Sequence, residues 1–139
     1  MTRINVVPVS MLSNAHLMAE YKEITRPFNK VAKRIAKGQV ASDVSVSPVY
    51  LLNSGHETFF FNKLQYLHIR YIELYEELIV RGYNLNQDNF NVCEAMMSGF
   101  AGTSWYGGYT PTHEAIYLNM ARLAKRSNMK DAIDELLAD

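Results

Sequence analysis

The 139 residues hold one cysteine, Cys93, so no internal disulfide can form, and a reducing intracellular compartment is expected. With nothing nearby to pair with it, Cys93 reads as a small apolar side chain. No apolar run approaches the ~20 residues of a membrane span, and no secretory signal opens the sequence, so no membrane partner is expected. There is no internal repeat and no low-complexity segment. From Gly82 to Met120 there is no Lys or Arg.

Zero net charge conceals where the cations are. Arg3, Lys22, Arg26, Lys30, Lys33, Arg34 and Lys37 face only Glu20 and Glu23 in the first forty positions, and Arg122, Lys125, Arg126 and Lys130 cluster near the end. If the two ends meet, they form one positive face. A polyanion partner and a solvated helix face fit that pattern equally well.

Composition is that of a globular domain, with 48% hydrophobic and 20% charged residues. The pattern predicts helices joined by polar loops. Leu17, Tyr21, Ile24, Phe28, Val31 and Ile35 alternate steps of four and three, so a first helix is expected over Ser13 to Lys37, capped by Gly38 and kinked or split by Pro27. Val44, Val46 and Pro48 give a weak extended signal in the loop from Gln39 to Asn53. Ser54 and Glu57 form a capping-box pattern for a second helix reaching Gly82, with Phe59, Phe60 and Phe61 as packing residues. Tyr83 to Tyr109 reads as a loop. Its Trp105-Tyr106-Gly107-Gly108-Tyr109 run suits either base stacking or, somewhat better, a tucked surface loop. A third helix is expected from Thr110-Pro111 to Arg126 with Ile116, Met120 and Leu123 inward, then a short one capped at Asn128 and ending at Leu137.

Two features carry chemistry. The start, Met1-Thr2-Arg3, places a small residue behind the initiator Met. Trimming of Met1 exposes the α-amine of Thr2, whose unperturbed pKa is roughly 7.7–8.0 against ~10.4 for Lys. Arg3 beside it favours the neutral, nucleophilic form further. Such an amine next to an Arg suits attack on a sugar carbon near a phosphate; an ordinary, idle terminus has the same sequence. The second feature is on the first helix. Lys22, Arg26, Lys30, Lys33 and Lys37 form a basic stripe, with His16, Glu20 and Glu23 as a neighbouring row. Glu23 at the edge of the stripe is either an acid/base group or simply the helix partner of Arg26. His16, Glu20 and Glu23 have metal-ligand spacing, but no second His or Cys cluster completes a shell, so neither a metal nor another cofactor is expected.

These residues, as Met1–Asn5 (MTRIN), Val9-Ser10, His16–Tyr21 (HLMAEY), Glu23, Arg26 and Phe28, resemble the pyrimidine-dimer DNA glycosylases, the UV endonuclease V type of T-even bacteriophages. The likeness continues at Ser47-Pro48, Gly55-His56, Thr58–Phe60, Lys63-Leu64, Ile72–Leu74, Arg81-Gly82, His113–Ala115 and Ala121–Leu123. The resemblance implies a compact, all-α single domain spanning 1–139. It implies a monomeric, metal-free DNA glycosylase and abasic-site lyase, acting on ultraviolet-induced dimers in double-stranded DNA in the cytoplasm of an infected bacterium. By the same resemblance Thr2 is the nucleophile and Glu23 its catalytic carboxylate. Arg3, His16, Lys22, Arg26 and Lys30 line the DNA side, and Arg122 and Arg126 grip the backbone.

The sequence departs from the family pattern in places. Ala15 and Lys22 replace larger polar or bidentate residues, and the tail ends acidic at Asp131, Asp134, Glu135 and Asp139 instead of basic and aromatic. Trp105 and Tyr106 are the candidates to supply the missing stacking. The alternatives are a homologue acting on another damaged or modified base, and a non-catalytic DNA-binding module.

Overall fold

Pro27 decides how the first helical segment is built. Having no N–H, it cannot donate to the Glu23 carbonyl, and its ring crowds that carbonyl. In the computed structural model, which describes the backbone of residues 2–138 and the side chains of residues 2–125, helix α1 runs Asn14–Glu23 and ends there. Helix α2 restarts over Arg26–Ala36 with Pro27 in its first turn, where a missing donor does no harm. Ser13 caps α1 by accepting from the His16 N–H at 3.2 Å. Gly38, at φ +80°, takes the left-handed conformation that ends α2. Glu23 is thereby the last residue of α1, beside a helix break.

The expected second helix is two. Helix α3 is the short turn His56–Phe59, and α4 spans Leu64–Val80. Ser54 makes no cap: Gly55 precedes α3 at φ +88°, a backbone shape from which no capping box can form. The first amides of α4 are instead closed by a distant loop, Leu64 N–H donating to the Trp105 carbonyl and Gln65 N–H to that of Gly107, each at 3.1 Å. Gly107 is required there, because a Cβ would lie 2.4 Å from the Asn62 carbonyl oxygen. Trp105, 2% exposed, is buried beneath this clamp. The aromatic run is a tucked loop, and Trp105 offers no surface to a base.

The span from Tyr83 to Tyr109 is not all loop, since helix α5 occupies Gln87–Ser98. Asn86 caps it through the Asn89 N–H at 3.1 Å. Helix α6 runs unbroken over His113–Ala138, so the stop and new cap expected at Asn128 are absent from the backbone. Of the three residues expected inward, Ile116 and Leu123 pack against the core and Met120 does not. Ala115 and Asn119 are buried, whereas Met120 is 44% exposed. Among the described residues there is no strand, and the expected all-α class holds. The extended signal between Gln39 and Asn53 amounts to a 3-10 turn, Ala41–Asp43.

Helix α4 packs against both α1 and α5. One core joins Leu17, Ile24, Phe28 and Val31 to Phe59, Phe60, Phe61, Leu64, Leu67, Leu74, Leu78 and Met97. Each such side chain stabilises by roughly 1.5–3 kcal/mol of transfer free energy. Ile35, expected inward, is 38% exposed at the tapering end of α2. Through the middle of these helices runs the amino-terminal segment, residues 2–7, extended and buried.

Candidate active site

An extended segment without a neighbouring strand has backbone donors and acceptors that must be satisfied in some other way. Here side chains from the helices and loops supply them. Arg3 N–H donates to Glu23 Oε1 of α1 at 2.9 Å. Ile4 N–H donates to His56 Nε2 of α3 at 2.8 Å, and the Ile4 carbonyl accepts from the Tyr50 hydroxyl at 3.1 Å. Val6 and Val7 N–H both donate to Asn119 Oδ1 of α6, at 2.7 and 3.1 Å. The Val7 carbonyl accepts from Arg70 Nη1 of α4 at 2.8 Å.

These anchors fix protonation states. His56 accepts on Nε2, so Nδ1 carries the proton toward the Leu51 carbonyl at 2.8 Å, and the ring is neutral. Burial pushes its pKa below the ordinary value. Burial likewise pushes Tyr50 up to about 12, keeping its hydroxyl a donor. Glu20 is 1% exposed and held on both oxygens by Arg70. It also accepts from Asn5 Nδ2 at 2.8 Å. Desolvation opposes the charge on Arg70, and the Glu20 carboxylate more than offsets it, so the guanidinium pKa is raised.

The segment, α1 and α6 line a small open cleft. Of the predicted site residues, Arg3, His16, Glu23 and Arg122 line it, together with Asn5, Ala19, Glu20 and Leu123. Arg3 and Arg122 each bring a buried Nε–H that has no acceptor among the described residues. A buried guanidinium donor left unmatched by the protein suits an anionic ligand. One cation from each end of the chain, Arg3 and Arg122, meets here. Arg122 Nη2 is moored to Asn5 Oδ1 at 2.7 Å, sixteen residues ahead of the end of α6.

Thr2 is buried in the chain that carries Met1, 7% exposed, and does not itself line the cleft. Its peptide bond to Arg3 does reach the carboxylate. Consecutive backbone nitrogens lie within about 4 Å, which places the Thr2 nitrogen within about 7 Å of Glu23 Oε1. Glu23 is 20% exposed, and Arg26 approaches it only to 4.0 Å, so its shorter contact is with the amino-terminal segment.

Lys22, Arg26, Lys30, Lys33 and Lys37 are all exposed and lie outside the cleft, on two helices rather than the one continuous helix expected. Lys30 is ion-paired with Glu57. The side chain of Arg126 lies outside the described residues, as does that of Lys130. The metal reading of His16, Glu20 and Glu23 loses its central member, because the Glu20 oxygens are occupied by Arg70 and Asn5. Among the described residues no group of three His, Cys, Asp or Glu is placed to hold a metal ion.

The profile of the pyrimidine dimer DNA glycosylase family matches residues 1–91 of the 139. The chain belongs to this family. It is a DNA-repair glycosylase by that membership, with DNA as its substrate. The matched part contains Thr2, Arg3, His16, Lys22, Glu23, Arg26 and Lys30, while Arg122 and Arg126 lie beyond it. The glycosylase also uses residues that hydrophobic periodicity does not single out. Asn5, His56, Arg70 and Asn119 fix the amino-terminal segment, and only the buried environment of each reveals it. Glu20, in the predicted acidic row, is a structural anion. Tyr106, a candidate stacker, is bound through its hydroxyl to His68 Nδ1 at 2.7 Å, and His68 Nε2 meets Glu94 at 3.0 Å.

Proposed function

We propose that this glycosylase is coupled to abasic-site lyase chemistry and acts on ultraviolet-induced cyclobutane pyrimidine dimers in double-stranded DNA. The nucleophile in this reading is the α-amine of Thr2 after removal of Met1. Its lone pair forms a bond to C1′ of the damaged nucleotide, and the glycosidic bond breaks with its electron pair leaving on the base. One proton passes from the nitrogen to the departed base; the nitrogen lone pair then closes a C1′=N bond as the C1′–O4′ bond breaks and O4′ takes a proton from water, which gives a protonated imine. Glu23 stabilises the cationic sugar, then accepts the C2′ proton. The C2′ electrons form a double bond as the C3′–O bond to phosphate breaks. Arg3 and Arg122 hold phosphates at the cleft, His16 lies against the opened nucleotide, and the exposed cations from Lys22 to Lys37 track the duplex, with Arg126 extending the grip along α6.

The observation that carries this reading is the hydrogen bond from Arg3 N–H to Glu23 at 2.9 Å, which brings the Thr2–Arg3 peptide onto the carboxylate in a cleft walled by two unsatisfied guanidinium donors. An amine and a carboxylate held this close have the proximity that imine formation and elimination require. The test is borohydride reduction of the processed protein with a duplex containing an abasic site, followed by mass mapping. An adduct on Thr2 is expected. A processed terminus that forms no adduct would leave a DNA-binding module in its place. Strand scission of a dimer-containing duplex, compared with an abasic one, decides the lesion.

A further inference from the structure

We propose that Asn119 is a positioning residue that sets both the reach of the Thr2 amine and the direction of the Arg122 guanidinium. The proposal rests on the reading of Thr2 as nucleophile.

Asn119 projects from the second turn of α6 and is fully buried, 0% exposed. Its carbonyl oxygen accepts from two successive backbone amides, Val6 at 2.7 Å and Val7 at 3.1 Å. Its amide donates to Asn5 Oδ1 at 2.8 Å, and that same oxygen accepts from Arg122 Nη2 at 2.7 Å. Asn5 Nδ2 in turn donates to Glu20 Oε1 at 2.8 Å.

The orientation of this chain is forced. Glu20, clasped by Arg70, can only accept, so the Asn5 amide must face it and the Asn5 oxygen must face Asn119 and Arg122. Asn119 must then donate toward Asn5, which turns its own oxygen to the amino-terminal segment. Neither Asn can flip without opposing two acceptors.

Two consequences follow for the cleft. The extended segment has no neighbouring strand to define its register, and a slip of one residue would move the Thr2 nitrogen about 3.3 Å. Asn119 pins that register by binding the amides of Val6 and Val7 with one oxygen. The Arg122 guanidinium, at the cleft wall, is held by one nitrogen on Asn5, and its buried Nε–H has no acceptor among the described residues. One buried amide thus ties the nucleophile to the phosphate contact from a helix that contributes no reacting group.

The experiment compares the parent with Asn119→Ala and Asn119→Asp, each processed and held well below its melting temperature. Two quantities are read: the rate of borohydride-trapped adduct on an abasic duplex at saturating enzyme, and Kd for a duplex carrying a tetrahydrofuran abasic analogue. Asn119→Ala releases the segment, and a misplacement near 1 Å slows the saturating trapping rate roughly ten- to a hundredfold. Asn119→Asp keeps an acceptor for Val6 and Val7 and restores that rate to within about threefold of the parent. It also sets an oxygen against Asn5 Oδ1 and competes for Arg122, so the analogue binds about ten- to a hundredfold more weakly, in the range of one charge-assisted hydrogen bond. A purely structural Asn would lower melting temperature and leave both readouts of the folded protein unchanged. Parental trapping by Asn119→Ala overturns the proposal, as does parental affinity in Asn119→Asp. If the Ala chain does not fold, the Asp chain alone decides. A processed parent that traps nothing overturns the nucleophile reading instead, a result distinct from either.

Discussion

Arg70 joins Val7 to Glu20: one guanidinium donates to the Val7 carbonyl at 2.8 Å through Nη1 and to the Glu20 carboxylate through Nε and Nη2. The two are 4% and 1% exposed. Removing either partner strands a charge in the core. Arg70→Met is therefore expected to destabilise by about 3–5 kcal/mol. The double variant Arg70→Met, Glu20→Gln is expected to recover part of that loss. Urea midpoints measure both, and a single variant within about 1 kcal/mol of the parent would refute the pairing as a stability determinant.

Glu23 serves as acceptor for Arg3 N–H and, in the proposed chemistry, as base. Glu23→Gln keeps a carbonyl oxygen for the backbone bond and removes the carboxylate. Stability is expected to change by less than about 1 kcal/mol, while β-elimination at an abasic site falls about 10²- to 10⁴-fold, the usual range for a lost acid/base group. Single-turnover strand cleavage at saturating enzyme is the measurement. Unimpaired cleavage assigns the proton transfer elsewhere.

His56 makes stability depend on pH in a defined direction. Its folded pKa lies below the ordinary 6.5, because burial opposes charge and Nε2 is engaged as an acceptor. The unfolded chain therefore binds more protons between the folded value and 6.5. The contribution of His56 is full above about pH 6.5, declines as pH falls from there through the folded pKa, and levels off below it. His56→Gln, with a non-titrating acceptor for Ile4 N–H, is expected to flatten the urea midpoint between pH 7.5 and 5. A parental slope in the variant would locate the effect on another group.

The exposed cations differ in their freedom to bind phosphate. Lys30 is committed to Glu57, whereas the Lys22 side chain lies exposed at the end of α1. Lys22→Ala is expected to reduce the slope of log Kd against log salt by about one contact, and Lys30→Ala by less. Fluorescence anisotropy on an undamaged duplex across a salt series separates the two. Equal slopes would place the duplex away from this face.

Apolar spacing, caps and proline chemistry were enough to place α1 and α2, because Ser13, Pro27 and Gly38 act through the backbone nearby. The three phenylalanines at 59–61 are core for the same local reason. Helix α5 escaped, since Asn86 to Asn91 holds few strong helix formers and its stability comes from packing on α4. On α6, Ile116 and Leu123 face the core as their spacing predicts, but buried Asn119 escaped because hydropathy turns a polar residue outward and takes Met120 in its place. The break after α3 depends on Gly55 and on carbonyls of Trp105 and Gly107, which lie more than forty residues away in sequence from Leu64. Thr2 and Glu23 were legible as candidates, Thr2 from its place behind Met1 and Glu23 from its place beside the basic stripe. The amides that bring them together leave no periodic trace.

The anchors of the amino-terminal segment come from far along the chain, with 113 residues between Val6 and the Asn119 that holds it. A contact of that sequence separation closes a long loop, and such loops slow the approach to the native state. Until α6 has docked, Val6 and Val7 lack the Asn119 acceptor and Arg122 is missing from the cleft, so the last helix completes a site that the first residues begin.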